Sequence, residues 1–233
     1  MIQVRRSNER GDADHGWLKS KHTFSFADYH DPKFIGFGAL RVINEDRIKG
    51  GTGFETHGHR DMEIISYVID GALEHKDSMG TDTVIQPGEV QRMSAGTGIR
   101  HSEHNHLKDQ TTHFLQIWIR PEKNGIAPGY DQKSFAQDFS SNDLILVGSK
   151  NGRNGSVVIH QDVDIYAAKA KQSGLKTIKT FKHRYLWVQV IHGKVVVETT
   201  ELESGDGAGI TDAESINLKW TPGSEFILFD LPQ

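Results

Sequence analysis

Two stretches decide how this chain reads: Gly51-Thr-Gly-Phe-Glu-Thr-His57-Gly-His59-Arg-Asp-Met-Glu63 and Gly96-Thr-Gly98-Ile-Arg-His101-Ser-Glu103-His-Asn105. His57 and His59 stand two apart, and so do His101 and Glu103. Side chains along a β-strand alternate between its faces, so each pair points one way if its segment is extended. Two such pairs on neighbouring strands bring three imidazoles and one carboxylate to a point. That donor set suits a divalent metal and leaves positions for other ligands.

The spacing alone is a weak signal. With 13 histidines in 233 residues, chance supplies roughly one His-x-His. A second one, His104-Asn105-His106, reads as incidental: His104 has the opposite parity to His101, and His106 falls where the strand frays into a polar loop. The first pair gains weight from its surroundings. Gly51 lies six before His57, Glu63 four after His59, Gly71 closes the next apolar strand, and a second half follows with its own glycines.

The order G-x5-H-x-H-x3-E, an apolar strand and Gly71 resembles the first cupin motif, and Gly98-x2-His101-x3-Asn105 resembles the second. Seven residues separate Glu63 from Gly71 where six are usual, and Gly96 replaces the usual proline. The stretches around His15, His22-TFSFADYHDP, Phe37-GALRVINED, His57-GHRDMEIISYV, His75-KDSMG and Met93-SAGTGIRHSEHN are similar to the pirin family, especially its short bacterial members with quercetin 2,3-dioxygenase activity. The similarity is detailed to about Pro121 and fainter beyond.

This resemblance implies His57, His59, His101 and Glu103 as metal ligands; Glu103, as the one carboxylate the motif places at the metal, is also the expected catalytic base. Fe(II) is the foremost expected metal, with Mn, Co, Ni, Cu or Zn as alternatives. The implied reaction is cleavage of the central ring of a flavonol such as quercetin: the 3-hydroxyl deprotonates at the metal, O2 adds across the ring, and carbon monoxide leaves. Glu63 stays open between a ligand and a hydrogen-bond partner of a ligand histidine, Arg60 or Arg100. The resemblance also covers animal pirins, so the alternative is a metal-binding, redox-sensitive regulator acting through a protein partner.

Composition bounds the function classes. The absence of cysteine excludes disulfides and thiolate metal sites. A net charge of −4 gives no global attraction to nucleic acid. The polar N-terminus lacks a signal-peptide core, and no run reaches the roughly 20 apolar residues of a membrane helix. The expectation is a cytoplasmic enzyme acting on an aromatic small molecule and O2, with no membrane or nucleic-acid partner.

Many short β-branched or aromatic runs, bounded by Gly, Asp, Asn or Pro, predict an all-β chain of two jelly-roll β-barrel or sandwich domains, a bicupin. The expected units are a metal-binding domain over 1–132 and a degenerate, metal-free cupin over 133–233. Tyr130–Phe139 is the best short-helix candidate, within a polar bridge over Pro121–Ser141. In the second half, Tyr185–Gly193 matches Glu63–Gly71, and aligning the glycines places Lys179 and Phe181 in the slots of His57 and His59. Leu218 and Trp220 take those of His101 and Glu103. None of the four ligates a metal in the usual way, so this half should be packed with apolar side chains.

Other residues have two readings. Phe24 and Phe26 either face a ligand cavity or pack a covering strand, the second being favoured. On one strand, either Gln116 and Trp118 or Leu115, Ile117 and Ile119 face inward. Lys176, Lys179, Lys182, His183 and Arg184 read as solvated charge on a strand edge.

Overall fold

A computed structural model describes residues 1–233, in 22 strands and three short 3-10 turns. In the first half, a seven-stranded sheet runs β12 (Gly129–Ser134), β9 (Glu89–Ser94), β6 (Glu63–Asp70), β11 (Thr112–Ile119), β4 (Leu40–Ile48), β3 (Leu18–His22) and β2 (Gly11–Asp14). A four-stranded sheet of β5 (Gly53–His59), β10 (Ile99–Asn105), β7 (Leu73–Asp77) and β8 (Asp82–Ile85) completes the sandwich.

The second half repeats the plan. Its large sheet runs β1 (Ile2–Arg5), β20 (Gly207–Ile210), β17 (Arg184–His192), β22 (Glu225–Pro232), β15 (Asp164–Lys169), β13 (Ile145–Ser149) and β14 (Val157–Val158). Its small sheet runs β16 (Gly174–Lys179), β21 (Ser215–Trp220), β18 (Lys194–Val197) and β19 (Thr200–Glu203). Strands β4 to β11 are thus matched in sheet position by β15 to β22, the duplication expected of a bicupin. The N-terminal strand crosses over: β1 pairs with β20, Ile2 opposite Ile210, before the chain enters the first sandwich at β2.

Burial explains why the large sheets meet. The face that each large sheet turns to the other is apolar, as a covered sheet face requires. A 25-residue core draws Phe24, Ile65, Leu115 and Ile117 from one half and Val147, Ile165, Trp187 and Phe229 from the other. The interior of the second sandwich is a 16-residue apolar core that includes Leu186, Val188, Leu218 and Trp220. The interior of the first holds only two small apolar clusters, of six and four residues. Between them lie buried polar side chains, including His75, His101, Glu103 and Gln116.

The structure corrects two expectations outside the site. Tyr130–Phe139 is not a helix: β12 pairs with β9, and a 3-10 turn covers Asp138–Ser141. Strand pairing at the sheet edge and burial of Phe135 and Phe139 in the shared core outweigh helix propensity here. Leu218 and Trp220 do point inward, but Lys179 is exposed and Phe181 is 67% exposed. The half-buried positions of β16 are Gly174, Lys176 and Ile178, one residue out of phase with the glycine alignment. Gly174 lies against the Trp220 indole, where a Cβ would sit 2.2 Å from the ring.

Candidate metal centre

Strands β5 and β10 pair antiparallel with His57 opposite His101 and Ile99 opposite His59. A register shift between His101 and Glu103 places Glu103 opposite Phe54. On the other side of β10, Glu103 lies opposite His75 of β7. The period-two pattern brings the three histidines together, while Glu103 falls in a second, overlapping group. His57, His59 and His101 offer donor atoms within 4.8 Å of one another, and His75, His101 and Glu103 do the same. His101 belongs to both.

The histidine tautomers follow from their partners. His57 Nδ1 lies 2.7 Å from the Glu55 carbonyl oxygen, which only accepts, so Nδ1 carries the proton and Nε2 keeps a lone pair. That lone pair lies 3.1 Å from His101 Nε2. His59 Nε2 and His101 Nδ1 are buried without a partner in the protein. Burial, then the neighbouring histidines, holds His59 down at about 4 and His101 at about 3, so both rings are neutral at pH 7. Neutral, convergent imidazoles with orphaned nitrogens are the state a divalent metal requires. The residues fit such an ion.

Glu103 is held by residues of the large sheet. Its Oε1 accepts from Ser66 Oγ at 3.1 Å and its Oε2 from Gln116 Nε2 at 2.8 Å. These bonds span the interior and fix the carboxylate beneath the histidines. His75 escapes sequence reasoning because it sits in no cupin-motif position. Its Nε2 donates to Asp77 Oδ2 at 3.1 Å, leaving Nδ1 unpartnered in the interior. Alternation along Leu73–Asp77 was the available signal.

Glu63 lies in neither group. The chain turns at Asp61, with φ of 49°, and β6 joins the other sheet, so parity from β5 does not carry over. Glu63 Oε2 accepts from the His160 backbone and Nδ1, both at 3.1 Å, across the junction of the two halves. The nearby cation is Arg92, at 3.9 Å, rather than Arg60 or Arg100. His104 and His106 meet Glu55 and Glu74 instead.

A cavity of about 870 Å³ opens beside the centre, lined by His57, His59, Gln116 and Trp118 among others. Phe26 packs edge-on against Trp118 with centroids 5.4 Å apart, and Trp17 against Phe54 at 5.1 Å. All four aromatic residues line the cavity. The two phenylalanines of the HTFSF stretch divide: Phe26 faces the cavity, and Phe24 packs on Trp187 in the shared core. Gln116 and Trp118 face inward, while Leu115, Ile117 and Ile119 face the second sandwich. Among the basic residues, Lys176 pairs with Asp143, Lys182 with Glu214, and Arg184 with Asp162 and Asp230. No helix is long and apolar enough to cross a membrane.

A family model described as Pirin matches residues 3–119, and one described as the quercetinase C-terminal cupin domain matches residues 146–231. The chain is 47% identical over 232 residues to the quercetin 2,3-dioxygenase of Escherichia coli K12, covering 100% of this chain and 99% of that protein. A pirin-like protein of Caulobacter vibrioides is 41% identical over 231 residues, covering 99% of each. A crystal structure of a bacterial pirin from Escherichia coli in complex with nickel(II) superposes with a TM-score of 0.95 at 47% identity, covering 100% of this chain and 99% of that one.

Proposed function

The chain belongs to the pirin family, and from that premise we propose that it is a metal-dependent dioxygenase that opens the central ring of flavonols such as quercetin and releases carbon monoxide. The observation that carries this reading is the aromatic-walled cavity against His57 and His59. Its volume falls within the roughly 300–1,000 Å³ of small-molecule sites.

The proposed ligands are His57, His59, His101 and Glu103, with Fe(II) as the foremost metal. When bound, the ion acts as a Lewis acid that lowers the pKa of the flavonol 3-hydroxyl. Glu103 then accepts that proton. Its anionic form is stabilised by the donors Ser66 and Gln116, which also set its direction. The Glu55 carbonyl holds the His57 ring in its ligating tautomer. The indoles of Trp17 and Trp118 and the rings of Phe26 and Phe54 offer flat walls for a planar substrate and exclude water.

The reaction balances as flavonol plus O2 giving a ring-opened ester and carbon monoxide. The same reading divides the chain into a metal-binding unit over 1–132 and a metal-free unit over 133–233, interlocked by β1, and places the protein in the cytoplasm. A regulatory role through a protein partner needs an exposed recognition patch, and the basic stretch near Lys179 has most of its cations paired with acids. The test is metal-dependent carbon monoxide release from quercetin in air. Tight metal binding without it sinks the flavonol reading.

A further inference from the structure

Beyond the metal-binding residues, the cavity floor carries polar side chains that the proposed chemistry does not use. Ser20 lies opposite Asp46, and His22 opposite Asn44, across β3 and β4. All four residues are buried, between 2% and 6% exposed, and all four line the cavity. His22 Nδ1 and Asn44 Oδ1 have no partner within the protein, and Ser20 Oγ has only the Asp46 carboxyl that faces it across the strands. Buried polar atoms left without a partner are costly and therefore call for an explanation.

Their placement is ordered. Register carries a polar row across the sheet from His22 to Asn44, then Gln116, then Ser66. The last two are satisfied by Glu103. The first two end the row beneath the open cavity, with Ser20 and Asp46 beside them. At a strand spacing of about 4.8 Å, His22 lies about 10 Å from Gln116 across the sheet. A planar ligand anchored near Glu103 therefore extends its outer rings over this strip, between aromatic walls. Burial holds His22 below the usual imidazole range, leaving the ring one donor and one acceptor. Phenolic hydroxyls both donate and accept, and so match this mixture.

We propose that Ser20, His22, Asn44 and Asp46 form a recognition strip for the hydroxyl groups on an outer ring of a planar polyphenol, setting which hydroxylation pattern the cavity selects. The proposal rests on the flavonol reading, which it deepens.

The test is an anaerobic titration of the metal-loaded protein, followed by tryptophan fluorescence. The ligands are quercetin, the flavonol lacking both B-ring hydroxyls, and the flavonol lacking the A-ring hydroxyls. The wild type should prefer quercetin by about tenfold or more over one of the two analogues, because an unfilled strip is left unpaired. In the double variant His22→Leu with Asn44→Leu, that preference should fall to near one through loss of quercetin affinity. Metal content should be retained. Should the double variant fail to fold, Ser20→Ala removes one hydroxyl and should reduce the preference about two- to tenfold. Preferences unchanged in the variants overturn the strip. Carbon monoxide release by the wild type in air separates the failures. Turnover with unchanged preferences removes the strip alone, whereas neither binding nor turnover of any flavonol removes the flavonol reading and the strip with it.

Discussion

His57 Nε2 and His101 Nε2 lie 3.1 Å apart on paired strands. Two nitrogens each about 2.0–2.1 Å from one ion and at right angles to each other are separated by about 3 Å. The pairing register thus sets the two rings at the separation of neighbouring ligands. His101→Ala removes the residue common to both donor groups. Its metal content after loading and gel filtration, read by elemental analysis, should fall below about a tenth of wild type, as loss of a ligand demands. Full retention would place the metal elsewhere.

Gln116→Leu keeps the side-chain size but removes the donor to Glu103 Oε2. Metal affinity should drop about 10–100-fold, as for other losses of a group that orients a ligand. A chelator competition measures this directly. Unchanged affinity would mean that Glu103 is not held for the metal.

The pH dependence of the metal-free protein follows from two opposed shifts. His59 and His101 titrate near 4 and 3 when folded, below the ordinary 6.5, so their contribution is full above about 6.5 and lost as pH falls towards 4. Burial, with the charges of Glu103 and Glu45 behind it, pushes Asp46 up from 3.8 to about 7. Its contribution is full below 3.8 and lost as pH rises through 7. Asp46→Asn should therefore steepen the loss of stability between pH 7 and 4, and His59→Gln with His101→Gln should flatten it. Urea melts across that range provide the check. Parallel profiles for all three proteins would contradict the assignment.

Trp220→Ala empties part of the second core, where the indole covers Gly174. It should cost about 3–5 kcal/mol in unfolding free energy. Metal content should be unaffected, because both groups of convergent donors lie in the other half. A change in metal content without a change in stability would contradict the division of labour between the sandwiches.

Much of this was legible before the structure. Alternation carries the strands, and the spacing of His57, His59 and His101 points to the histidine cluster, because a two-residue period translates directly into a shared face. What stayed hidden depends on pairing between distant strands. His75 joins only through its register with Glu103, and Glu63 leaves because the turn at Asp61 moves it to another sheet. The helix expectation over Tyr130–Phe139 failed for the same reason: a sheet edge far away in sequence was waiting for β12. The polar strip of Ser20, His22, Asn44 and Asp46 carries no motif, and only the pairing of β3 with β4 brings it under the cavity.

The most direct test of the central claim is turnover of quercetin by the Fe(II)-loaded protein under ¹⁸O₂, with mass spectrometry of both products. Addition of O2 across the central ring predicts two labelled oxygens in the ring-opened ester and one equivalent of unlabelled carbon monoxide. An ester carrying one or no label, or consumption of quercetin without carbon monoxide, would contradict it.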